Sequence, residues 1–356
     1  MENEASKSSQ WKLETFTPVF LLLTAVPLAI MLWLGNVAFN IIKSGNDDVI
    51  PPTRWLMSTL APMLVVSWGL KKKSLNKSGA IVGLFIGFIL TLSNYGFMLS
   101  LIVMFITSSQ ATKFKSKLKK RLEVDHKEGK HASFVKKEWK FCIIFIGGQR
   151  NWIQALCNGG MATQLALLYL LEAGSGERPI DFIQDYRSSW LALGVVGTIA
   201  CANADTWASE LGTVLSKSDP WLITTGRKVP KGVNGGVSLI GLLVSLVGGC
   251  VIGASYYLVV VYTADSKHIG ESPPQWPIIP TSALAGLLGS VVDSVLGATL
   301  QYSGVDKKTG LVVEHVGPDV VYICGRRILD NHSVNLISTI ITGLVTPRIA
   351  NMIWPY

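Results

Sequence analysis

Long apolar runs separated by short polar blocks divide most of the chain. They predict spans at approximately 18–42, 54–70, 79–93, 95–112, 152–172, 189–205, 237–263, 281–303 and 334–354. A helix crosses a bilayer with roughly 20 mostly apolar residues, so the pattern predicts an all-α, polytopic integral membrane protein of about nine transmembrane helices. The third and fourth runs are short and meet at Asn94-Tyr95, which predicts a helical hairpin or a re-entrant pair. The first run follows a polar N-terminus and lacks a clear small-residue cleavage site, so it reads as a retained span rather than a signal peptide. The organisation read from this is an N-terminal two-span segment, 1–74, and a catalytic multi-span domain, 75–356. Within the latter, 113–140 reads as a charged, helical cytosolic loop.

Composition supports the membrane reading. Charged residues make up 15% of the 356 and hydrophobic residues 49%, against roughly 25% charged in a soluble domain. The formal net charge of +9 would suggest nucleic acid in a soluble protein. No interleaving of aromatic and basic positions supports that here, so no nucleic-acid partner is expected. The basic residues sit instead in alternate loops: Lys71 to Lys77, Lys113 to Lys140, Lys217 to Lys231 and Lys307 to Arg327. Only Lys43, Arg54, Arg178, Arg187, Lys267 and Arg348 fall on the other side, which carries Asp47, Asp48, Glu172, Glu177, Asp181 and Asp185. Loops rich in Lys and Arg stay in the cytosol, which puts the N-terminus there. The five cysteines form no CxxC pair and no two histidines share ligand spacing, so neither disulfides nor zinc are expected.

Polar residues inside spans are costly and face a cavity or a partner, and four clusters interrupt the apolar runs. Arg150, Gln154 and Asn158 are spaced to form one helical stripe ahead of Gly159-Gly160; such a stripe serves either a ligand or helix–helix hydrogen bonding. Asp205, Thr206, Ser209 and Glu210 close the sixth span, and two acids with two hydroxyls suit a hard, oxygen-seeking cation such as Mg²⁺. Arg227, Lys228, Lys231, Gly232, Asn234, Gly235, Gly236 and Ser238 precede the seventh span. Gly-rich backbone and a helix N-terminus favour phosphate, although the order is not that of a Walker loop. Ser290, Asp293, Gly297 and Gln301 lie on one face of the eighth span, with Ser294 beside Asp293. Besides these four, a smaller set, Asn331 and Asn335, opens the last span, where Asp330 or Asn331 also suits a helix cap. Together these describe a Mg-nucleotide site near the cytosolic leaflet, with a lipid as second substrate.

At these residues the chain resembles the transmembrane protein 19 family, which includes the plant phytyl-phosphate kinases. The likeness rests on Gln154-Ala-Leu-Cys-Asn158-Gly-Gly160, Ala204-Asp-Thr-Trp-Ala-Ser-Glu210-Leu-Gly212, Arg227-Lys-Val-Pro-Lys-Gly232-Val-Asn-Gly-Gly236-Val-Ser238, Asp293-Ser-Val-Leu-Gly297-Ala298 and Leu329-Asp-Asn-His-Ser-Val-Asn335. The family typically has Gly-Thr where this chain has Gly232-Val233. The resemblance implies a membrane kinase giving isoprenyl diphosphate from an isoprenyl monophosphate (phytyl, farnesyl or geranylgeranyl), with CTP or another nucleoside triphosphate as donor. Asp205 and Asp293 would hold Mg²⁺, with Glu210 nearby as a ligand or supporting acid, and Asp205, Glu210, Asp293 and Lys228 would form the catalytic set. Lys228, Arg227 and the Gly232 to Gly236 backbone would hold nucleotide phosphates, aided by Lys231, Asn234, Ser238, Thr206 and Ser209. Arg150, Gln154 and Asn158 would take the lipid phosphate, with Ser290, Ser294, Asn331 and Asn335 around it. A CTP-dependent lipid nucleotidyltransferase and a lipid-phosphate transporter remain open. The organelle defaults to the endoplasmic reticulum, and the oligomeric state is left open.

Overall fold

The computed structural model describes residues 2–43, 49–127, 149–264 and 266–355. Among the described residues nine long helices follow the nine apolar runs: α1 Glu2–Ile42, α2 Pro52–Lys71, α3 Lys77–Ser93, α4 Tyr95–Lys127, α5 Trp152–Ala173, α6 Tyr186–Trp207, α7 Leu239–Thr263, α8 Ile278–Leu300 and α9 Asn331–Ile353. Six of them, α1, α4, α6, α7, α8 and α9, contain a stretch long and apolar enough to cross a membrane. Among the described residues, six of the nine expected spans thus meet that length and composition. α3 is apolar but one turn shorter, and α2 and α5 are packed alongside as further helices of the bundle.

The starts of the helices are written in their caps. Pro52 opens α2, where its missing N–H costs nothing. The side chains of Asn76, Asn151, Ser238 and Asp330 each accept a hydrogen bond from the backbone N–H three residues on, starting α3, α5, α7 and α9. At Asn94 the chain becomes extended for one residue between α3 and α4. α4 is not the short element the apolar run suggested: the helix continues beyond its apolar stretch, Tyr95–Phe114, to Lys127. The charged 113–140 segment is thus helical as far as Lys127, and its remainder lies outside the described residues.

α6 is the central helix. Of its apolar stretch 72% is buried, against 11% for α1, which packs on α2 at the periphery. α6 contacts α4, α5, α7, α8 and α9, and Leu193, Val195, Val196 and Ile199 join Leu165, Ile252 and Ile278 in the main apolar core. Small residues let the backbones of α6, α7 and α8 meet. A Cβ on Gly248 would lie 3.2 Å from Ala204 Cα, and one on Gly249 would lie 2.9 Å from Ala283 Cα. At one end of the bundle Phe97 stacks on Tyr256 and meets Tyr169 edge-on. There too Arg54 pairs with Glu177 at 2.7 Å, both side chains buried, and the Arg54 guanidinium lies 4.0 Å from the Tyr95 ring centre.

At the other end two small sheets correct the all-α expectation. Trp221–Leu222 (β1) pairs antiparallel with Gly236–Val237 (β2). Ser303–Asp306 (β3) is flanked by Val312–Val313 (β4) and Val320–Cys324 (β5), both antiparallel to it. The basic segments expected to be loops are therefore a hairpin and a three-stranded sheet. Leu222, Val229, Val233, Ala298 and Cys324 form one small apolar cluster that joins both sheets to α8. Val233 is 6% exposed and belongs to this cluster.

Candidate functional site

The cluster holds the β1–β2 hairpin over a cavity of about 310 Å³. Asp205 and Ser209 line it from the end of α6, Ser290, Asp293 and Ser294 from α8, and Asn331 from the start of α9. Gly232 to Val237 and the first turn of α7, with Ser238 and Gly241, close the opposite wall. Four segments far apart in sequence thus meet where the polar clusters suggested.

α6 does not end plainly. Residues Ala208–Gly212 form a π-turn, and Thr213–Leu215 add a last α-turn. Such turns recur at functional sites because the extra residue re-aims the side chains around it. Here Asp205 and Ser209 face the cavity, whereas Thr206 and Glu210 do not line it. A Cβ on Gly212 would lie 2.8 Å from Gly241 Cα, so the turn crosses the start of α7 at backbone contact.

The hairpin is seated as tightly. Gly235 has φ +79°, and a Cβ there would lie 2.6 Å from Ser294 O and 2.7 Å from Ala298 N. Only glycine meets both demands, a left-handed backbone and no side chain. The Asn234 N–H donates to Ser303 Oγ at 3.1 Å, and Ile223 N–H donates to Gly235 O at 3.0 Å. Lys231 lines the cavity, but its Nζ donates to the carbonyls of Ser216 and Thr213 and so closes the turn after α6. Arg227 and Lys228 are exposed on the hairpin and do not line the cavity.

α9 completes the surroundings of Asp293. Ser338 Oγ donates to Asp293 Oδ2 at 3.3 Å. In one orientation the Asn335 amide nitrogen donates to Asn158 Oδ1 at 3.3 Å; turned about its last bond it donates instead to Asp293 Oδ2 at 3.2 Å and Asn331 O at 3.0 Å. Ser338 went unrecognised in the sequence, although Asn331, Asn335, Ser338 and Thr342 step by 4, 3 and 4 along one face of α9. Ser338 and Thr342 are buried.

The stripe from Arg150 to Asn158 is corrected. Asn151 caps α5, so Arg150 precedes the helix and instead bridges Leu75 in extended backbone. Its Nη1 donates to Ser109 Oγ at 3.1 Å, and its guanidinium lies 5.4 Å from the Phe105 ring centre. Burial pushes its pKa down to about 10, opposed by the nearby Glu210 carboxylate. Neither Arg150 nor Gln154 lines the cavity.

Asp205 and Asp293 face one space. Among the described residues no Lys or Arg pairs with either. Two half-buried carboxylates facing one space favour a compensating positive group, and Ser209, Ser290, Ser294 and Asn331 line the same cavity. That donor set fits Mg²⁺, which takes one or two carboxylates and fills its shell with water and phosphate oxygens. It does not make an all-protein cage: among the described residues no three His, Cys, Asp or Glu side chains cluster. Two helix N-termini, those of α7 and α9, open on the same cavity. Their dipoles favour anions. Two carboxylates against anion-favouring backbone suit a metal-bound phosphate.

Residues 60–343 match the family model described as "Integral membrane protein DUF92". The chain is 38% identical over 299 residues to Protein PGR of Arabidopsis thaliana, covering 84% of this chain and 97% of that protein. It is 31% identical over 157 residues to an uncharacterized membrane protein of Methanocaldococcus jannaschii, 44% of this chain and 50% of that one. Protein VTE6, chloroplastic, of Arabidopsis thaliana is 31% identical over 114 residues, 32% of this chain and 30% of that protein. No solved structure matches the chain.

Proposed function

The chain belongs to the DUF92 family of integral membrane proteins, and from that premise we propose that it is a membrane kinase. It moves the terminal phosphoryl group of a nucleoside triphosphate, CTP by resemblance, onto an isoprenyl monophosphate. The observation that carries this reading is the cavity itself, where Asp205 and Asp293 face the Gly232 to Ser238 backbone and two helix N-termini. The motif likeness to the family that includes plant phytyl-phosphate kinases, and the partial likeness to Protein VTE6, support the choice of substrate class.

A phosphate oxygen of the lipid attacks the γ-phosphorus of the nucleotide. The bond from that phosphorus to the β–γ bridging oxygen breaks, leaving isoprenyl diphosphate and nucleoside diphosphate. The attacking group is already an anion, so no strong general base is required. The task is alignment of two anions and neutralisation of their charge. Asp205 and Asp293 would hold Mg²⁺, with Ser209, Ser290 and Ser294 as neighbouring oxygens; when bound it supplies charge neutralisation between the phosphates. The Gly235 to Ser238 backbone and the start of α7 receive nucleotide phosphates. Asn331, Asn335 and Asn158 sit on the α9 side, where the lipid phosphate is received. Arg227 and Lys228 act from outside the cavity, attracting the nucleotide through their charge. The cavity opens to the cytosol, with the endoplasmic reticulum as the default membrane; the basic segments support that side.

The test is turnover by purified protein in detergent, with Mg²⁺, a panel of isoprenyl monophosphates and each of CTP, ATP, GTP and UTP. The expected products are isoprenyl diphosphate and nucleoside diphosphate, lost in Asp205→Asn and in Asp293→Asn. Release of pyrophosphate would replace this reading by nucleotidyl transfer. Substrate flux across vesicles without nucleotide turnover would replace it by transport.

A further inference from the structure

Asn203 precedes Asp205 by two residues on α6 and is 0% exposed. Its amide makes three hydrogen bonds. Oδ1 accepts from Thr107 Oγ1 at 3.0 Å and from Ser108 Oγ at 3.1 Å, both on α4. Nδ2 donates to the Gly248 carbonyl on α7 at 2.9 Å. The glycine is what lets α7 come this close, since a Cβ on it would lie 3.2 Å from Ala204 Cα and 3.5 Å from Asn203 Nδ2. Neighbouring Ser109 accepts from Arg150, so the Thr107-Ser108-Ser109 run ties three segments together beside the π-turn. None of these side chains lines the cavity.

We propose that Asn203 is a positioning residue that fixes the rotation of α6 and thereby aims Asp205 and Ser209 into the cavity. Residues two apart on an α-helix point about 200° apart. Pinning Asn203 to α4 and α7 on one side therefore turns Asp205 to the other side, toward α8 and α9. The direction of each bond makes the clamp specific. The Gly248 carbonyl can only accept, so it turns Nδ2 toward α7 and leaves Oδ1 to accept from the two hydroxyls. An aspartate there would keep the α4 bonds but set a carboxylate oxygen against the Gly248 carbonyl. The inference rests on Asp205 being half of the cation-holding pair.

The test measures Mn²⁺ affinity by electron paramagnetic resonance on purified full-length protein, per mole of folded protein. The variants are Asn203→Asp, Thr107→Val with Ser108→Ala, Thr107→Val alone as the mildest change, and Asp205→Asn. Wild type is expected to bind Mn²⁺ and Asp205→Asn to lose it. The Asn203 and double variants should weaken binding by about 10-fold or more, and Thr107→Val by a smaller factor, whatever their unfolding temperatures. A clamp that served stability alone would lower the unfolding temperature and leave the affinity per folded molecule unchanged. Wild-type affinity in the folded variants, with binding still lost in Asp205→Asn, overturns the positioning role and leaves the cavity reading intact. Absence of Mn²⁺ binding in wild type overturns both.

Discussion

Ser338 Oγ donates a hydrogen bond of 3.3 Å to Asp293 Oδ2, carrying α9 onto the acid of α8. A hydrogen bond to a charged group contributes about 1.5–3 kcal/mol. Ser338→Ala should therefore lower kcat for phosphotransfer by about 10-fold or more, by the conversion of 1.4 kcal/mol per decade. Steady-state kinetics on protein of unchanged unfolding temperature checks this. Unchanged kcat would remove Ser338 from the site.

Gly235→Ala should fail on two counts, its φ of +79° and its contact with Ser294 and Ala298. The expected loss is about 1–3 kcal/mol of stability, read as a lower unfolding temperature in detergent. Because the hairpin would lift from α8, nucleotide KM should rise as well. Gly310→Ala is the control, having positive φ but nothing within 4 Å; it should leave KM unchanged.

Arg227 and Lys228 stand outside the cavity, so their charge acts through solvent. Arg227→Gln with Lys228→Gln should raise nucleotide KM severalfold at low salt and leave kcat unchanged. The difference from wild type should shrink as salt rises, since exposed charges are screened beyond about 10 Å at 0.1 M. A fall in kcat that salt does not move would place one of them on the reacting phosphates.

The Arg54–Glu177 pair lies at the end of the bundle away from the site, and its side chains are 9% and 7% exposed. Arg54→Ala strands the Glu177 carboxylate in the interior and should cost about 3–5 kcal/mol. Removing the acid too, as Arg54→Met with Glu177→Gln, should recover most of that loss. Thermal unfolding of the three proteins settles the comparison.

Asp330 caps α9 beside the cavity. The Ser333 hydroxyl and N–H hold its carboxyl below the usual carboxylate range. Its folded pKa thus lies below its unfolded one, so its stabilisation is present above the unfolded value and is lost as pH falls through the folded value. Asp330→Ala should cost about 1 kcal/mol at neutral pH. Being largely exposed, Asp330 falls toward the lower end of the capping range. The two unfolding curves should converge in acid; a gap that persists there would assign the loss to something other than the cap.

The helices were legible because an apolar run and a polar break are local. So were Asp205, Ser209, Asp293 and the Gly232 to Ser238 backbone, since a carboxylate in an apolar run announces a cavity. The sheets were not, because two- to five-residue strands such as Trp221–Leu222 and Val320–Cys324 offer no period to read. Arg150 was misplaced for a nearer reason: a spacing of four has helical meaning only inside a helix, and Asn151 begins this one. Ser338 escaped because a serine in an apolar helix can bond its own backbone and says little by itself. Its role depends on Asp293, 45 residues away.

The glycine seams between α6, α7 and α8 also bear on where a lipid can go. A Cβ on Gly286 would lie 2.9 Å from Ser245 O and 3.0 Å from Gly249 Cα. Helices in backbone contact leave no slot wide enough for a hydrocarbon chain. An isoprenyl tail whose phosphate enters this cavity is therefore barred from the seam between these three helices, and any path it takes lies outside that seam.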